Sequence, residues 1–285
     1  QFMSADIVLH SLAALAYLLL SLSIWRPIVQ QNTIRQTGSV RSVCLLATLV
    51  LQGIAVHWAI VHAEHIRLNW SQGLSITIWL GMIVFWIESR LNKIDGLLLL
   101  LLPIASLICL LAALFPSSPD SLVIPSQTHL FKIHLLISLF AYSLIAIAAI
   151  QAFLMTALDQ YLHKPVNFQE NPSLTTRILE AQPPLMQQER ILFKLIWIGF
   201  GALSLSIVTG IMVSLNKSGQ FLPMDHKTIF TLLAWLVFSI LLIGRSLWGW
   251  RGRLALRWTL TGFALLMLAY TGTRFIFDVI MHKSV

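Results

Sequence analysis

Charged residues are scarce in this sequence. Only 11% of the 285 residues are Asp, Glu, Lys or Arg, whereas 57% are hydrophobic, and the mean hydropathy is +0.81. Soluble globular domains carry charge on roughly 25% of their residues. This composition argues against a soluble protein and indicates a polytopic membrane protein.

The sequence also lacks a run of basic residues. Its formal net charge of +8 would suggest a nucleic-acid partner in a soluble chain. Here the basic residues cluster at the ends of apolar segments, which is typical of membrane topology signals. We therefore expect membrane lipid, and no nucleic acid, among the partners.

Cysteine is almost absent. The two cysteines, Cys44 and Cys109, lie in separate apolar runs and form no Cys-x-x-Cys motif. This pattern argues against thiol–disulfide exchange and against a zinc–thiolate site. A nucleophile motif, a carboxylate pair and a cofactor fingerprint are also missing, so the sequence gives no support for an enzyme.

Long apolar runs dominate what is present. A helix needs about 20 apolar residues to cross a bilayer, and helices satisfy their own backbone polar groups within lipid. The sequence predicts an all-α, polytopic membrane helix bundle that forms one integral membrane domain over residues 1–285. Eight spans are predicted, at about 4–25, 41–63, 71–89, 95–115, 128–158, 190–215, 224–245 and 254–280.

Lys and Arg are distributed unequally between the two sides of this topology. Thirteen of the 19 lie in or beside the loops that follow the first, third, fifth and seventh spans. The positive-inside rule makes that side cytoplasmic and places both termini in the periplasm. The long polar segment 159–189 is then a cytoplasmic loop. The first span is expected to be retained rather than cleaved, because no basic residue precedes it and Arg26 follows it.

Histidine is concentrated on the opposite, periplasmic side. Only His163 of the nine histidines falls on the cytoplasmic side of the predicted topology. The other eight are His10, His57, His62, His65, His129, His134, His226 and His282. Each one alone is better explained as an interfacial polar residue, but the set as a whole favours a functional site.

Three of these histidines are the best candidates for ligands. Ionisable groups within a membrane are costly and usually functional. His57 lies well inside the second span, and His226 opens the seventh span. His134 lies about four residues beyond the start of the fifth span, within ~10 Å of the outer surface at ~1.5 Å per residue.

Neutral imidazole is a common ligand of haem iron. Two histidines from different helices could hold a haem from its two faces, and His134 with His226 is the leading pair. His57 is the candidate for a second site. Cations on the periplasmic side that could pair with the haem propionates are Lys132, Lys227, Arg67 and Arg274.

Four stretches of the sequence form longer motifs. They begin Ile-His-Leu-Leu-Ile-Ser at 133–143, Gln-Pro-Pro-Leu-Met-Gln-Gln-Glu-Arg at 182–193, Asp-His-Lys-Thr-Ile-Phe at 225–238 and Gly-Trp-Arg-Gly-Arg at 249–253. Together they resemble the cytochrome c assembly superfamily of membrane proteins, which includes CcsA, CcmC and HemX. The likeness is strongest to the YpjD-type inner membrane proteins of Gram-negative bacteria. It covers about 125–280 and is weaker at 50–90.

The resemblance implies a multi-pass protein of the bacterial inner membrane that binds non-covalent, b-type haem near its periplasmic face. By this resemblance, His134 corresponds to a haem-ligand position of the family. Asp225-His226-Lys227 corresponds to the Asp-Pro-Lys of CcsA-type proteins. His282 falls near a second external histidine, and His57 corresponds to a histidine within the membrane. A component of apocytochrome maturation would then be a partner.

One motif of the superfamily is missing. The tryptophan-rich external motif that presents haem for covalent attachment is replaced by Ser-Gly-Gln-Phe-Leu-Pro-Met-Asp at 218–225. This difference argues against cytochrome c synthase activity. Haem binding, transfer and sensing stay open.

Two functional hypotheses follow from the sequence. The first is a haem-binding or haem-handling membrane protein. The second is a non-catalytic accessory or regulatory subunit of another membrane protein, such as an ion transporter, with the 182–193 segment as its contact. A transporter in its own right is disfavoured, because the sequence has no inverted repeat with matched Gly/Pro-broken helices.

Overall fold

The computed structural model describes residues 2–29, 39–61, 66–67, 70–91, 95–116, 123–124, 129–163, 174–180, 182–223 and 225–275. These residues form nine α-helices and one pair of two-residue strands. Seven of the described helices are long and apolar enough to cross a membrane. The predicted all-α, polytopic membrane fold is therefore confirmed.

The helices follow the predicted apolar runs closely. Their bounds are α1 (Phe2–Val29), α2 (Ser39–Val61), α3 (Trp70–Leu91), α4 (Asp95–Leu114), α5 (His129–Leu162), α6 (Leu174–Glu180), α7 (Leu185–Ser218), α8 (His226–Trp248) and α9 (Gly252–Phe275). The last predicted span, 254–280, is described only as far as Phe275. Its completion, and with it the count of eight spans, stays a prediction.

Helix α7 begins five residues earlier than predicted. Gln187, Gln188 and Glu189 are polar, and the sequence therefore resembled a loop there. Pro183 and Pro184 precede the helix, and proline is tolerated at a helix start because the first N–H groups have no intrahelical partner. α5 and α7 have 34 residues each. At ~1.5 Å per residue each is about 51 Å long, more than the ~30 Å of a hydrocarbon core.

The segment predicted as a cytoplasmic loop, 159–189, is partly helical. It contains the end of α5, all of α6 and the first residues of α7. Arg177 on α6 donates from Nη1 to the backbone oxygen of Val29 at 2.9 Å. Tyr161 donates to Glu180 Oε1 at 2.9 Å. These contacts fasten α6 to the end of α1 and to the end of α5.

The chain packs as two compact units. Unit 1 comprises Gln1–Gln127 with Gln160–Pro184, and unit 2 comprises Thr128–Asp159 with Leu185–Val285. The prediction of one integral membrane domain stays a prediction, because two packing units can belong to a single membrane domain.

In unit 1, α1 packs against α2 and α4, and α3 packs against the same two helices. The core contains the fully buried Tyr17, Met82 and Phe85. Trp79 donates from its indole to the backbone oxygen of Leu49 at 2.8 Å, which ties α3 to α2. The short strands β1 (Ile66–Arg67) and β2 (Val123–Ile124) pair antiparallel.

In unit 2, α8 packs against α9 and α7. α8 approaches α9 closely at Gly262, because this residue has no side chain. A Cβ added at Gly262 would lie 2.6 Å from Cζ of Phe238 on α8. Side chains connect α5 to α7, where Gln151 Nε2 donates to Gln188 Oε1 at 2.7 Å. Both glutamines are buried, so this bond satisfies polar groups that have lost water.

The Gly-Trp-Arg-Gly-Arg motif forms the turn between α8 and α9. Gly249 has φ 65° and Gly252 has φ 57°, values that glycine adopts without the steric cost of a side chain. The backbone N–H of Trp250 donates to the oxygen of Gly244 at 3.2 Å. The Trp250 ring covers Gly244, where a side chain would collide with it. The motif thus has a structural role as a helix-ending turn.

Arginine side chains hold this turn to the rest of unit 2. Arg245 donates from Nη1 to Glu189 Oε1 at 2.6 Å and to the backbone oxygen of Trp250 at 3.1 Å. Arg253 donates to Asp159 Oδ2 at 2.6 Å. The first bond links α8 to α7 and the last links α9 to α5. Two of the basic residues that signalled topology therefore also join helices.

Candidate functional site

Unit 2 contains a cavity of about 570 Å³. Small-molecule and cofactor sites commonly have volumes of about 300–1,000 Å³. One wall comes from each of α5, α7 and α8, and the segment between α7 and α8 closes one end. The cavity therefore has the size of a cofactor site and lies at the meeting of three helices.

Each helix contributes residues from one face. His134, Ser138 and Tyr142 of α5 line the cavity at intervals of four residues, and residues four apart share a helix face. The face of α7 includes Ser206, Gly210, Ser214 and Lys217, and that of α8 includes Thr228 and Thr231. The wall is thus a mixture of apolar, hydroxyl-bearing and basic side chains.

His134 is fixed by a neighbouring threonine. Its Nδ1 lies 3.0 Å from Thr209 Oγ1. The Thr209 hydroxyl donates within its own helix, to the backbone oxygen of Leu205 at 2.9 Å. With that bond in place the one hydroxyl hydrogen is used, so we assign Thr209 as the acceptor and Nδ1 as the nitrogen that carries the imidazole proton. Nε2 is left with its lone pair, which is the form of histidine that binds metals.

Gly210 makes room for the imidazole of His134. A Cβ added at Gly210 would lie 3.1 Å from Cε1 of His134, tighter than most real contacts. The ring therefore packs directly on the backbone of α7. Contact with Gly210 on one side and a hydrogen bond to Thr209 on another leave the ring little freedom to move.

Two serines extend the contact between α5 and α7. The Oγ atoms of Ser138 and Ser206 are 2.7 Å apart. Ser138 Oγ donates to the backbone oxygen of His134 at 2.7 Å. Ser206 is buried. Hydrogen bonds of this kind between membrane helices are worth about 0.6–2 kcal/mol each.

Charged residues lie at the end of the cavity formed by the α7–α8 connection. Lys217 comes from the last turn of α7, and Asp225 and Lys227 flank the start of α8. The cavity thus offers two ammonium groups and one carboxylate at one end, and an imidazole on its wall. Such an arrangement suits a largely apolar ligand that carries carboxylates.

The four histidines predicted as ligands lie in different parts of the chain, and only some of them lie at the cavity. His134 lines the cavity. His226 is exposed at the first position of α8 and does not line the cavity. Its two neighbours in sequence, Asp225 and Lys227, do line it. His57 is exposed on α2 of unit 1. His282 lies outside the described residues. The pairing of His134 with His226 stays a prediction.

The four cations expected to pair with the haem propionates also lie in different places. Lys227 lines the cavity, whereas Lys132 is exposed on α5 and does not line it. Arg67 lies on β1 in unit 1, and Arg274 lies near the end of α9.

Several residues at the site were not predicted from the sequence, among them Thr209, Gly210 and Lys217. Ser206, Gly210, Ser214 and Lys217 are spaced four, four and three residues apart. That spacing predicts a polar face on α7 and could have identified it.

The fold and the site define a multi-pass helical membrane protein with a cofactor-sized cavity that presents one immobilised histidine. The comparison with known families then identifies it further. The profile of the family described as "Cytochrome C assembly protein" matches residues 8–281. The chain therefore belongs to the cytochrome c assembly protein family, as the sequence motifs predicted.

Individual relatives agree with this assignment. The "Uncharacterized 28.8 kDa protein in nifR3-like 5'region" of Azospirillum brasilense is 29% identical over 219 residues, 75% of this chain and 78% of the relative. "Inner membrane protein YpjD" of Escherichia coli K12 is 32% identical over 150 residues, 52% of each chain. "Cytochrome c biogenesis protein CcsA" of Mesostigma viride is 22% identical over 289 residues, 91% of each chain.

The matched stretch thus spans about half of the length of YpjD. With the apolar helices, the likeness to a protein named for the inner membrane confirms the predicted location, a multi-pass inner membrane protein. The orientation of the termini stays a prediction.

Proposed function

We propose that this protein binds a non-covalent, b-type haem in the unit 2 cavity and handles it near the periplasmic face of the inner membrane. The observation that carries the proposal is the imidazole of His134. It lines a cavity of about 570 Å³, and its Nδ1 proton is engaged by Thr209. The membership of the cytochrome c assembly family adds support.

The residues present fit haem in three respects. His134 offers an unprotonated Nε2 for iron. Lys217 and Lys227 offer ammonium groups for two propionates, and charge-assisted hydrogen bonds of this kind are roughly twice as strong as neutral ones. Leu203, Ile207 and Ile211 supply apolar wall. When bound, haem would supply an iron that can exchange ligands or electrons, and the protein would supply its binding and orientation.

His226 would be the second histidine that holds the haem. This residue begins α8 beside two cavity-lining residues, Asp225 and Lys227. His282 is proposed as an alternative second ligand, and His57 as the ligand of a separate site in unit 1.

Absorption spectra of the detergent-purified protein, before and after addition of haemin, test this proposal. We expect a Soret band and sharp α and β bands after reduction with dithionite, both lost in His134→Ala. His129→Ala is the matched control, because His129 lies on the same helix, is exposed and does not line the cavity. Equal haemin binding by wild type and His134→Ala would contradict the proposal.

A second variant pair tests how His134 is positioned. Thr209→Val removes the hydroxyl that accepts the Nδ1 proton, and loss of such outer partners typically weakens metal affinity about 10–100-fold. We expect a tenfold or greater loss of haemin affinity in a spectroscopic titration. Thr259→Val is the control: Thr259 is buried on α9, and its hydroxyl donates to Ala255. If both variants behave alike, Thr209 does not position the ligand.

The alternative function, an accessory or regulatory subunit of another membrane protein, assigned the 182–193 segment to partner binding. In the structure, residues of this segment contact the chain itself. Gln182 Nε2 donates to the backbone oxygen of Gly96 at 3.3 Å in unit 1. In unit 2, Gln188 bonds to Gln151 and Glu189 accepts from Arg245. These contacts give the motif a structural explanation, and we therefore favour haem binding.

A further inference from the structure

Unit 1 contains a buried pair of titratable groups that plays no part in the unit 2 cavity. His10 on α1 has 0% of its side chain exposed. Its Nδ1 lies 2.8 Å from Oδ1 of Asp6, one helical turn earlier. Ionisable groups buried in membrane helices are costly and usually functional. Sequence reasoning placed His10 at the outer end of the first span and singled out neither residue as a site.

Side chains from α3 surround the pair. Gln72 Nε2 donates to Asp6 Oδ2 at 3.0 Å. His10 Nε2 lies 3.2 Å from Ser75 Oγ. Gln72 and Ser75 are both buried. The carboxylate and the imidazole are thus each contacted by a polar group of another helix.

The hydrogen-bonded chain continues from α3 through α2 and back to α1. Gln52 Nε2 lies 3.3 Å from Ser75 Oγ and 3.2 Å from the Ser75 backbone oxygen, and donates to both. The hydroxyl of Tyr17 donates to Gln52 Oε1 at 2.7 Å. Tyr17 lies eleven residues beyond Asp6, about 16 Å deeper along α1 at ~1.5 Å per residue. The chain therefore joins three helices from a point near the start of α1 to the core.

The hydrogen positions of this network allow one additional proton. His10 Nδ1 lies 3.1 Å from the Asp6 backbone oxygen, which can only accept, and 2.8 Å from Asp6 Oδ1, so we assign a hydrogen to Nδ1. Nε2 faces a hydroxyl, which can donate to a neutral imidazole or accept from a protonated one. Proton uptake at Nε2 therefore needs only a rotation of the Ser75 hydroxyl.

Asp6 favours that uptake. Its Oδ1 is buried, and among the described residues it has no hydrogen bond of acceptable geometry, although His10 Nδ1 is at ion-pair distance. A buried carboxylate oxygen without a donor is costly. A positive charge on His10 offsets that cost through the 2.8 Å contact.

Among the described residues of α2, α3 and α4, the charged groups lie far from the pair. On α2 and α3 the charged residues are Arg41, Glu88 and Arg90. They lie near the start of α2 and the end of α3, where Arg90 donates to Ser42 Oγ. Arg90 is 15 residues from Ser75, about 22 Å along α3. The helix α4 has no charged residue between Gly96 and Leu114.

Further titratable residues described on these helices include Tyr17 on α1, Cys109 on α4 and His57, which is exposed on α2. Arg177 and Glu180 on α6 belong to the opposite end of α1, where Arg177 bonds to Val29. Among the described side chains of these helices, Asp6 is therefore the carboxylate in contact with His10.

We propose that Asp6 and His10 form a proton-binding site within the membrane helices of unit 1. The site takes up one proton at His10 Nε2, and Asp6 and Ser75 hold the charged imidazole. This site is separate from the haem proposal, since its residues belong to a different unit.

Nuclear magnetic resonance of ¹⁵N-histidine-labelled protein in detergent tests the proposal. We expect the His10 nitrogens to change from the singly to the doubly protonated form as the pH is lowered. His10→Gln identifies the signals by their loss. If His10 keeps a single proton, at Nδ1, over the whole range, the network is structural only and the proposal is wrong.

Two variants are expected to move the transition in opposite directions. Asp6→Asn removes the negative charge and should lower the pH of the His10 transition by at least one unit, a tenfold loss of proton affinity. Gln72→Leu removes a donor from the Asp6 carboxylate and should raise that pH, because a less stabilised carboxylate holds a proton on the pair more tightly.

Gln188→Leu, at a buried glutamine of unit 2, is the control and should leave the transition unchanged. The histidine signal that moves in Asp6→Asn or in Gln72→Leu, but not in the control, also identifies His10 if His10→Gln does not fold. A His10 signal that is unmoved by a folded Asp6→Asn or Gln72→Leu would overturn the role of Asp6.

Discussion

Gly210 is the residue on which the position of His134 most directly depends. The imidazole occupies the space that a side chain at Gly210 would need, with 3.1 Å between the added Cβ and Cε1. An added methyl group would push the ring away from the backbone of α7 and strain its bond to Thr209. A small change at a residue that binds nothing itself can therefore disturb the site.

We expect Gly210→Ala to lower haemin affinity about tenfold, as loss of an outer-shell contact typically does. Gly201→Ala on the same helix is the matched control. A Cβ at Gly201 would meet nothing within 4 Å, and alanine favours a helix over glycine by up to about 1 kcal/mol. Haemin titration and thermal unfolding of both variants make the comparison. Unchanged affinity in Gly210→Ala would show that the ring can move without loss of binding.

His134 could be predicted from the sequence, but its surroundings could not. A histidine a few residues inside an apolar run is conspicuous because it is costly there. Thr209 and Gly210 are common residue types in membrane helices and give no such signal. Their role depends on the rotation of α7 relative to α5, which the sequence does not contain. The burial of His10 was missed for a related reason: nearness to a helix start does not show whether a side chain is buried.

At the scale of whole helices, α8 and α9 depend on close packing at Gly262. The Phe238 ring lies against the backbone of α9 there, and Phe238 is fully buried. Small residues that let helices approach are typical of membrane interfaces, where van der Waals packing drives association.

Gly262→Ala is expected to destabilise the protein by about 1–3 kcal/mol, because overpacking forces the ring or the helix to shift. Phe238→Leu leaves space for the methyl group. In the double variant the two effects should not add, and stability should be at least partly recovered relative to Gly262→Ala. Equilibrium unfolding in mixed micelles measures all three variants. Additive losses would mean that the ring does not fill the space beside Gly262.

The positions of the helices followed from the sequence, whereas some of their ends did not. Apolar length alone located the spans, because lipid requires continuous helices. The polar start of α7 and the short helix α6 were missed, since hydropathy does not distinguish a polar helix from a loop. Contacts made after folding, such as that of Gln188 with Gln151, stabilise these polar segments.

At the scale of the whole molecule, the orientation in the membrane is a prediction from Lys and Arg counts. Substituted cysteines in a background without Cys44 and Cys109 test it. Gln220 and Arg251 are both exposed, in the α7–α8 and α8–α9 connections.

We expect Gln220→Cys to react with a membrane-impermeant maleimide in cells with a permeable outer membrane. Arg251→Cys should react only after the inner membrane is opened. The reverse pattern would place the cavity end lined by Lys217 and Lys227 in the cytoplasm. It would also invert the proposed side of haem binding.

The turn between α8 and α9 has a consequence for how the protein enters the membrane. Only Gly249, Trp250 and Arg251 separate the two helices, and the glycine conformations and the Trp250 bond close the turn locally. Two helices joined so tightly can leave the insertion machinery together as a helical hairpin. Arginines at the turn resist translocation, so we expect the hairpin tip to stay on the side of synthesis. The five residues 249–253, which shape the turn, would then also direct how α8 and α9 enter the membrane.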